Sequence, residues 1–322
     1  MNFQLATRSA VRPLIAIFGE SNSGKTMSAL LLARGIAGPD GLIAMIDTES
    51  GRGSLYAGEI PGGYQVGDME PPFSPQAYQD ALDAAERSKA ACIVVDSFSH
   101  EWEGDGGVCD MAGDRESNSG KAGLHNWKEP KSQHQKLILR LMRSKVPVIV
   151  CLRAKYKTKN QPQERNGRTI QAPVRDDFLT PIQSDGFAFE ATIILEMSRE
   201  NPGSFVLTKW SVPDILKCFP GSSPKELSKE KLGIKHGQAI AAWCASNAAP
   251  VRQSEPVDPQ LKAAKTALWT LVKGRFENPT KFQEFLIASK LIEEGQTLGG
   301  LTLPEVTAIF ETLDKEMNGG AK

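Results

Sequence analysis

Eight residues near the start of the chain, Gly19-Glu20-Ser21-Asn22-Ser23-Gly24-Lys25-Thr26, match the pattern G-x-x-x-x-G-K-[ST]. Glycines at Gly19 and Gly24 allow backbone angles and a close approach that a side chain would block. The N–H groups between them can point inward at phosphate oxygens, and a helix beginning at Lys25 would add its positive end. Lys25 is then placed for the β- and γ-phosphates, and the Thr26 hydroxyl for Mg²⁺. All eight residues are expected to hold a nucleotide, with ATP and Mg²⁺ as cofactors.

Asp96 ends Cys92-Ile93-Val94-Val95-Asp96, an apolar run closed by a carboxylate. Downstream of a phosphate loop, such an Asp holds the magnesium, usually through water. Hydrolysis also needs a carboxylate to orient the attacking water. One large class of nucleoside triphosphatases places a Glu directly after the magnesium Asp; here Ser97 stands in that position. Glu49, in Leu42–Gly51, is the candidate on another strand, and Glu101 is the alternative.

These residues need a scaffold that gathers them. Leu14–Phe18, Leu42–Ile46, Cys92–Val95 and Val146–Leu152 are strand-like apolar runs. Helical spacing covers Lys25–Ala37, a segment from Pro75 to about Lys89, and Lys131–Lys145. Ala191–Met197 and Phe205–Lys209 read as two further strands, joined as a hairpin at Asn201-Pro202-Gly203. Continuous apolar strands alternating with helices predict an α/β fold: a mostly parallel sheet flanked by helices, with a small helical unit at the C-terminus. Ligands in such sheets bind at the carboxyl ends of the strands, where the phosphate loop, Asp47-Thr48-Glu49, Asp96 and Arg153 fall.

Composition narrows the reading. Lys plus Arg and Asp plus Glu each number 38 in 322 residues, so any nucleic-acid surface must be a local patch. No run approaches the roughly 18 apolar residues of a membrane helix, and the short apolar stretch near the N-terminus leads straight into the phosphate loop. The expectation is a cytoplasmic protein without a membrane partner. The five cysteines form no C-x-x-C pair and read as reduced and structural; the four histidines lack metal-ligand spacing. Residues 1–246 are expected to form the core, 247–260 a linker rich in Pro, Ser and Ala, and 261–322 a bundle of three short helices.

The motifs GESNSGKT, IDTES and IVVDSFS, in that order, resemble the core of the RecA-like recombinases. The phrases IDTESGRGSLYA, PPFSPQAY and DSFSHEWEGDGGV extend the resemblance to phage-encoded RecA-like ATPases, including those grouped with single-strand annealing proteins. It spans roughly residues 11–246. The resemblance implies that Glu49, two residues beyond Asp47, activates water. It implies a polar sensor at Arg153, where the family often has Gln, and a cation offered to a neighbouring subunit's nucleotide by Lys209, less well by Lys217. It further implies a homo-oligomer, filament or ring, and recombination or replication proteins of phage or host as partners.

The resemblance also predicts mobile DNA-contacting loops in two places. Gly104–Asn126 is glycine-rich and polar. Residues 153–175 carry seven basic residues against one acid, Glu164. Within them Lys155, Lys157, Lys159, Arg165 and Arg168 can track phosphates and Tyr156 can stack on a base of single-stranded DNA. A solvated basic hairpin, or a subunit contact, is the other reading of that segment. Two functional alternatives stay open: a nucleotide or small-molecule kinase with residues 153–175 as its lid, and a nucleotide-gated protein scaffold.

Overall fold

The computed structural model describes residues 11–165, 168–220, 222, 226–246, 259–276, 278–293 and 296–318. These fall into two compact units, one within Thr7–Asn247 and one within Ala248–Lys322. The expected linker lies almost entirely outside the described residues.

In the first unit the elements run β1 (Leu14–Gly19), α1 (Lys25–Ala37), β2 (Ile43–Asp47), β3 (Gln65–Asp68), α2 (Pro75–Arg87), β4 (Cys92–Asp96), α3 (His100–Glu103), α4 (Val108–Ser119), α5 (Lys128–Met142), β5 (Val148–Arg165), β6 (Arg168–Pro181), α6 (Phe187–Glu190), β7 (Ile193–Met197), β8 (Phe205–Trp210) and α7 (Ile234–Ala245). The sheet order is β3-β2-β4-β5-β1-β7-β8. The first six are parallel, and β8 closes the edge antiparallel to β7. This is the α/β architecture expected of a phosphate-loop nucleoside triphosphatase core.

The continuous apolar runs reflect burial on both faces. Ile15 and Ile17 of β1 pack with Leu30 and Leu32 of α1 and Ile240 of α7, while Leu14, Ala16 and Phe18 pack with Tyr78 and Leu82 of α2 and Leu137 and Leu141 of α5. Helices α1 and α7 touch through glycines. A Cβ on Gly35 would lie 2.1 Å from the Ile234 carbonyl oxygen, and one on Gly237 2.1 Å from that of Leu32. Helix α2 starts where its cap predicts: the Ser74 hydroxyl accepts the Ala77 N–H at 3.2 Å, and Pro75 fills the first turn.

Two expectations are corrected here. Gly104–Asn126 is not an open loop, because helix α4 occupies its centre. Val108 and Ala112, four residues apart, are buried, and Gly107 and Gly120 sit at the two ends of the helix. Gly107 and Gly120 therefore serve as its caps, Gly120 with φ of +64°. Residues 153–175 are not irregular either. Strand β5 runs on from the core as far as Arg165 and pairs antiparallel with β6, from Ala154↔Pro181 to Arg165↔Arg168, as a hairpin arm. That is the basic-hairpin reading of the segment. Strand β3 was not anticipated: its four residues are largely exposed and lack an apolar run.

The second unit contains α8 (Pro259–Val272), α9 (Pro279–Ala288) and α10 (Leu303–Asn318). Leu268, Val272, Phe282, Leu286, Val306 and Ile309 are among its buried core. Among the described residues no helix is long and apolar enough to cross a membrane.

Candidate nucleotide site

The loop Gly19–Thr26 turns through positive φ at Asn22 (+64°) and Gly24 (+85°). Gly19 admits no side chain, since a Cβ would meet Ser23 Oγ at 2.7 Å and the Met197 carbonyl oxygen at 2.8 Å. Ser23 is fully buried, and its hydroxyl donates to the Glu20 carbonyl at 2.9 Å. The turn between β7 and β8 braces the loop from outside, with the Gly203 N–H donating to the Ser23 carbonyl at 3.0 Å. Lys25 folds back over the loop and donates to the carbonyls of Gly19 (3.0 Å) and Glu20 (2.8 Å).

Sheet register brings the carboxylates to the same edge. Asp47 pairs with Asp96 across β2 and β4, and Gly19 with Arg153 across β1 and β5. The Thr26 hydroxyl donates to Asp96 Oδ2 at 2.5 Å. Glu49 Oε1 accepts from Arg153 Nη2 at 2.6 Å and Nε at 2.9 Å, and Arg52 reaches Glu49 Oε2 at 3.5 Å. Lys25, Thr26, Asp47, Glu49, Asp96 and Arg153 line one cavity of about 1060 Å³, and Gly19, Ser21, Asn22 and Gly24 line it with them. Glu20 and Ser23 do not line it; they shape the loop instead.

Sequence reasoning undervalued Asp47. Its buried carboxylate accepts the Glu49 N–H through Oδ1 and the Gly53 N–H through Oδ2, both at 2.7 Å, and so shapes the turn that presents Glu49. Thr48 ties that turn to the neighbouring strand: its hydroxyl accepts the Ser97 N–H at 2.8 Å and lies 2.8 Å from His100 Nδ1. Leu55 and Tyr56 also line the cavity, an apolar wall beyond the charged edge. The signal for Asp47 was present in Asp47-Thr48-Glu49, but only strand register shows which carboxylate turns inward.

The charges are under tension. Burial, with the nearby Glu49 and Asp47 charges, raises the Asp96 carboxyl to about 6, against the Thr26 hydrogen bond and the Lys25 charge. Burial lowers the Lys25 ammonium from its usual value, partly offset by Asp96 and Glu49. Burial and the Arg153 charge also lower His100.

The AAA domain family model matches residues 12–201 of the chain. The chain belongs to this family. A search of the curated proteins returned no match. The matched stretch runs from the entry of β1 past the end of β7 and includes the whole charged edge and the arm. The AAA domain here is thus a nucleotide-binding ATPase domain whose family-matched segment contains every residue of the cavity.

A divalent cation fits the donor set of this AAA domain. Thr26 Oγ1 and Asp96 are hard oxygen donors already in contact, beside two more carboxylates, and the raised Asp96 carboxyl is the type of group a cation stabilises in its charged form.

Other predicted residues lie elsewhere. Glu101, the alternative base, is fully buried and bonded to His134 and Gln183, so it is withdrawn from that role. Lys209 pairs with Ile194 near the start of β7, whereas Met197 at the other end of that strand pairs with Gly19. Its ammonium donates to the carbonyls of Ala188 (2.6 Å) and Phe189 (2.8 Å), away from its own chain's cavity. Lys217 is exposed and paired with Asp214.

On the arm, Lys155 pairs with Glu103 at 2.9 Å, Lys157 with Asp185 at 3.5 Å and Lys159 with Asp176 at 2.7 Å. Arg175 lies 3.5 Å over the Tyr156 ring. Arg165 and Arg168 end the paired strands, and their side chains lie outside the described residues. The basic surplus of the segment is therefore partly answered by acids that the count over 153–175 did not include.

Proposed function

We propose that this AAA domain is a RecA-like ATPase of phage type that hydrolyses ATP with Mg²⁺ and binds single-stranded DNA along its hairpin arm, in recombination, annealing or replication. One observation carries the reading. Glu49, the candidate base, is gripped by Arg153, and Arg153 is also where β5 leaves the core to become the arm.

In this reading Gly19–Thr26 wraps the phosphates, and Lys25 exchanges two loop carbonyls for β- and γ-oxygens. Thr26 and Asp96 would hold the magnesium, which neutralises charge on the transferring phosphoryl group. Glu49 orients the attacking water and accepts its proton. While Arg153 holds Glu49, two guanidinium hydrogen bonds occupy its Oε1 in place of water; a polyanion on the arm competes for Arg153 and for the lysines beside it. Lys209, turned away from its own cavity, is offered to a neighbouring copy in a filament or ring. The protein would act in the cytoplasm of a bacterial host, with recombination or replication proteins as partners.

The test is the ATPase rate with and without single-stranded DNA, with electron microscopy of the same sample. Turnover should rise with the DNA, Lys25→Ala should lose nucleotide binding, and Glu49→Gln should bind but turn over about 10²–10⁴-fold more slowly. ATPase activity indifferent to DNA, with no DNA binding near physiological salt, refutes the DNA half. Full biological function in Glu49→Gln favours a scaffold instead.

A further inference from the structure

A second constellation lies outside the nucleotide cavity and shares no residue with it. Glu101, in α3, is fully buried. His134, in α5, is 5% exposed and sets Nδ1 at 2.9 and 3.1 Å from the two Glu101 oxygens. Its other ring nitrogen, Nε2, lies 2.8 Å from the hydroxyl of Ser184, just beyond β6. Gln183 Nε2 donates to Glu101 Oε2 at 3.2 Å, which fixes the carboxylate further.

We propose that Ser184, His134 and Glu101 form an acyl-transfer site, with Ser184 as nucleophile, for small esters or thioesters bearing an apolar acyl chain. A carboxylate on Nδ1 holds the imidazole in the tautomer whose Nε2 is a base, and that nitrogen faces the hydroxyl. A histidine kept only for packing can end its chain of hydrogen bonds on any acceptor in the core. This chain ends on a half-buried hydroxyl that, with His134, lines a cavity of about 490 Å³. Trp102, Ile138, Leu139, Met142 and Phe187 supply the apolar wall, which sets the acyl preference.

The step balances without a cofactor. Ser184 Oγ bonds to the carbonyl carbon while its proton passes to His134 Nε2. The bond to the leaving oxygen or sulfur then breaks, and the leaving group takes that proton. Water repeats the sequence on the acyl-serine: His134 accepts its proton, returns it to Ser184 Oγ, and a carboxylic acid leaves.

The experiment uses the full chain without nucleotide, a fluorophosphonate probe and p-nitrophenyl butyrate. The expected result is one phosphonate adduct, mapped by peptide mass spectrometry to Ser184, and ester hydrolysis that falls about 10²–10⁴-fold in Ser184→Ala. Ser184→Ala removes a single hydroxyl, and its thermal melt should overlay that of the wild type; His134→Gln and Glu101→Gln should slow labelling of Ser184. No adduct, an adduct on another residue, or undiminished hydrolysis in Ser184→Ala overturns the proposal, because the wild-type protein alone decides the first two.

Discussion

Replacing Asp96 by Asn removes a buried charge while keeping an acceptor for the Thr26 hydroxyl. The folded state raises this carboxyl from 3.8 to about 6, first through burial. Each pKa unit is worth about 1.4 kcal/mol, so the ionised group opposes folding by roughly 3 kcal/mol. The sign follows from linkage. The native chain holds the proton more tightly than the unfolded chain, so this group's contribution is most favourable below pH ~4 and is lost as pH rises to about 6. Asn carries no charge at any pH. Asp96→Asn should therefore be more stable than wild type by about 2–3 kcal/mol at pH 8, raising the melting temperature by roughly 5–10 °C for a unit of this size. By pH 5 the gain should fall to about half, and near pH 4 to about a fifth.

Calorimetry of the nucleotide-free chain in chelator, at the three pH values, reads the effect directly. Adding ATP and Mg²⁺ should reverse the order, since only the wild-type carboxylate gains from the cation. A variant that is less stable at pH 8, or a gain that does not change with pH, would refute the reasoning: Asp96 would then have a compensating partner rather than an unbalanced charge.

Three further outcomes follow. Arg153→Ala frees Glu49 from its 2.6 Å grip, so nucleotide binding should persist while the ratio of DNA-stimulated to basal ATPase falls toward one. Single replacements of Lys155, Lys157 or Lys159 by Ala should weaken DNA binding across sequences and reduce the slope of log K against log salt by up to about 1 each, read by anisotropy titration. Gly35→Ala should lower stability in urea unfolding by about 3 kcal/mol or more, because the added methyl would sit 2.1 Å from the Ile234 carbonyl oxygen and the two helices must part.

What was legible in the sequence tracks what the core selects. Strands β1, β2 and β4 are buried on both faces, so their apolar runs stand out, and each ends on a residue of the charged edge. Strand β3 and the outer half of β5 have no such selection. Asn160 and Gln161 are held by backbone pairing to β6, with solvent on the side chains, so nothing in their types marks a strand. Helix α4 hides for a related reason: Gly, Asp, Ser and Asn are poor helix formers, and two buried residues, Val108 and Ala112, suffice to hold it. Glu49 and Glu101 look alike as acids near strand ends, yet one faces the cavity and the other is sealed against His134.

Strand β5 is what joins the legible half to the hidden one. Its Cys151 sits in register beside Asp96, Arg153 two residues on grips Glu49, and Lys155 two residues further begins the arm's lysines. Pairing with β4 ends at Cys151 and with β1 at Arg153, and Lys155 pairs with β6 alone, so Arg153 stands at the junction of core and arm with one residue between it and Lys155. The Arg153 N–H is itself anchored on Ser99 Oγ at 2.9 Å, three residues past Asp96. On the proposed function, a load on the arm would reach both carboxylates, through the Arg153–Glu49 ion pair and through Ser99 in the turn after Asp96. That shared strand gives a physical reason to expect arm occupancy and turnover to be coupled, and it makes Arg153→Ala the variant that separates them.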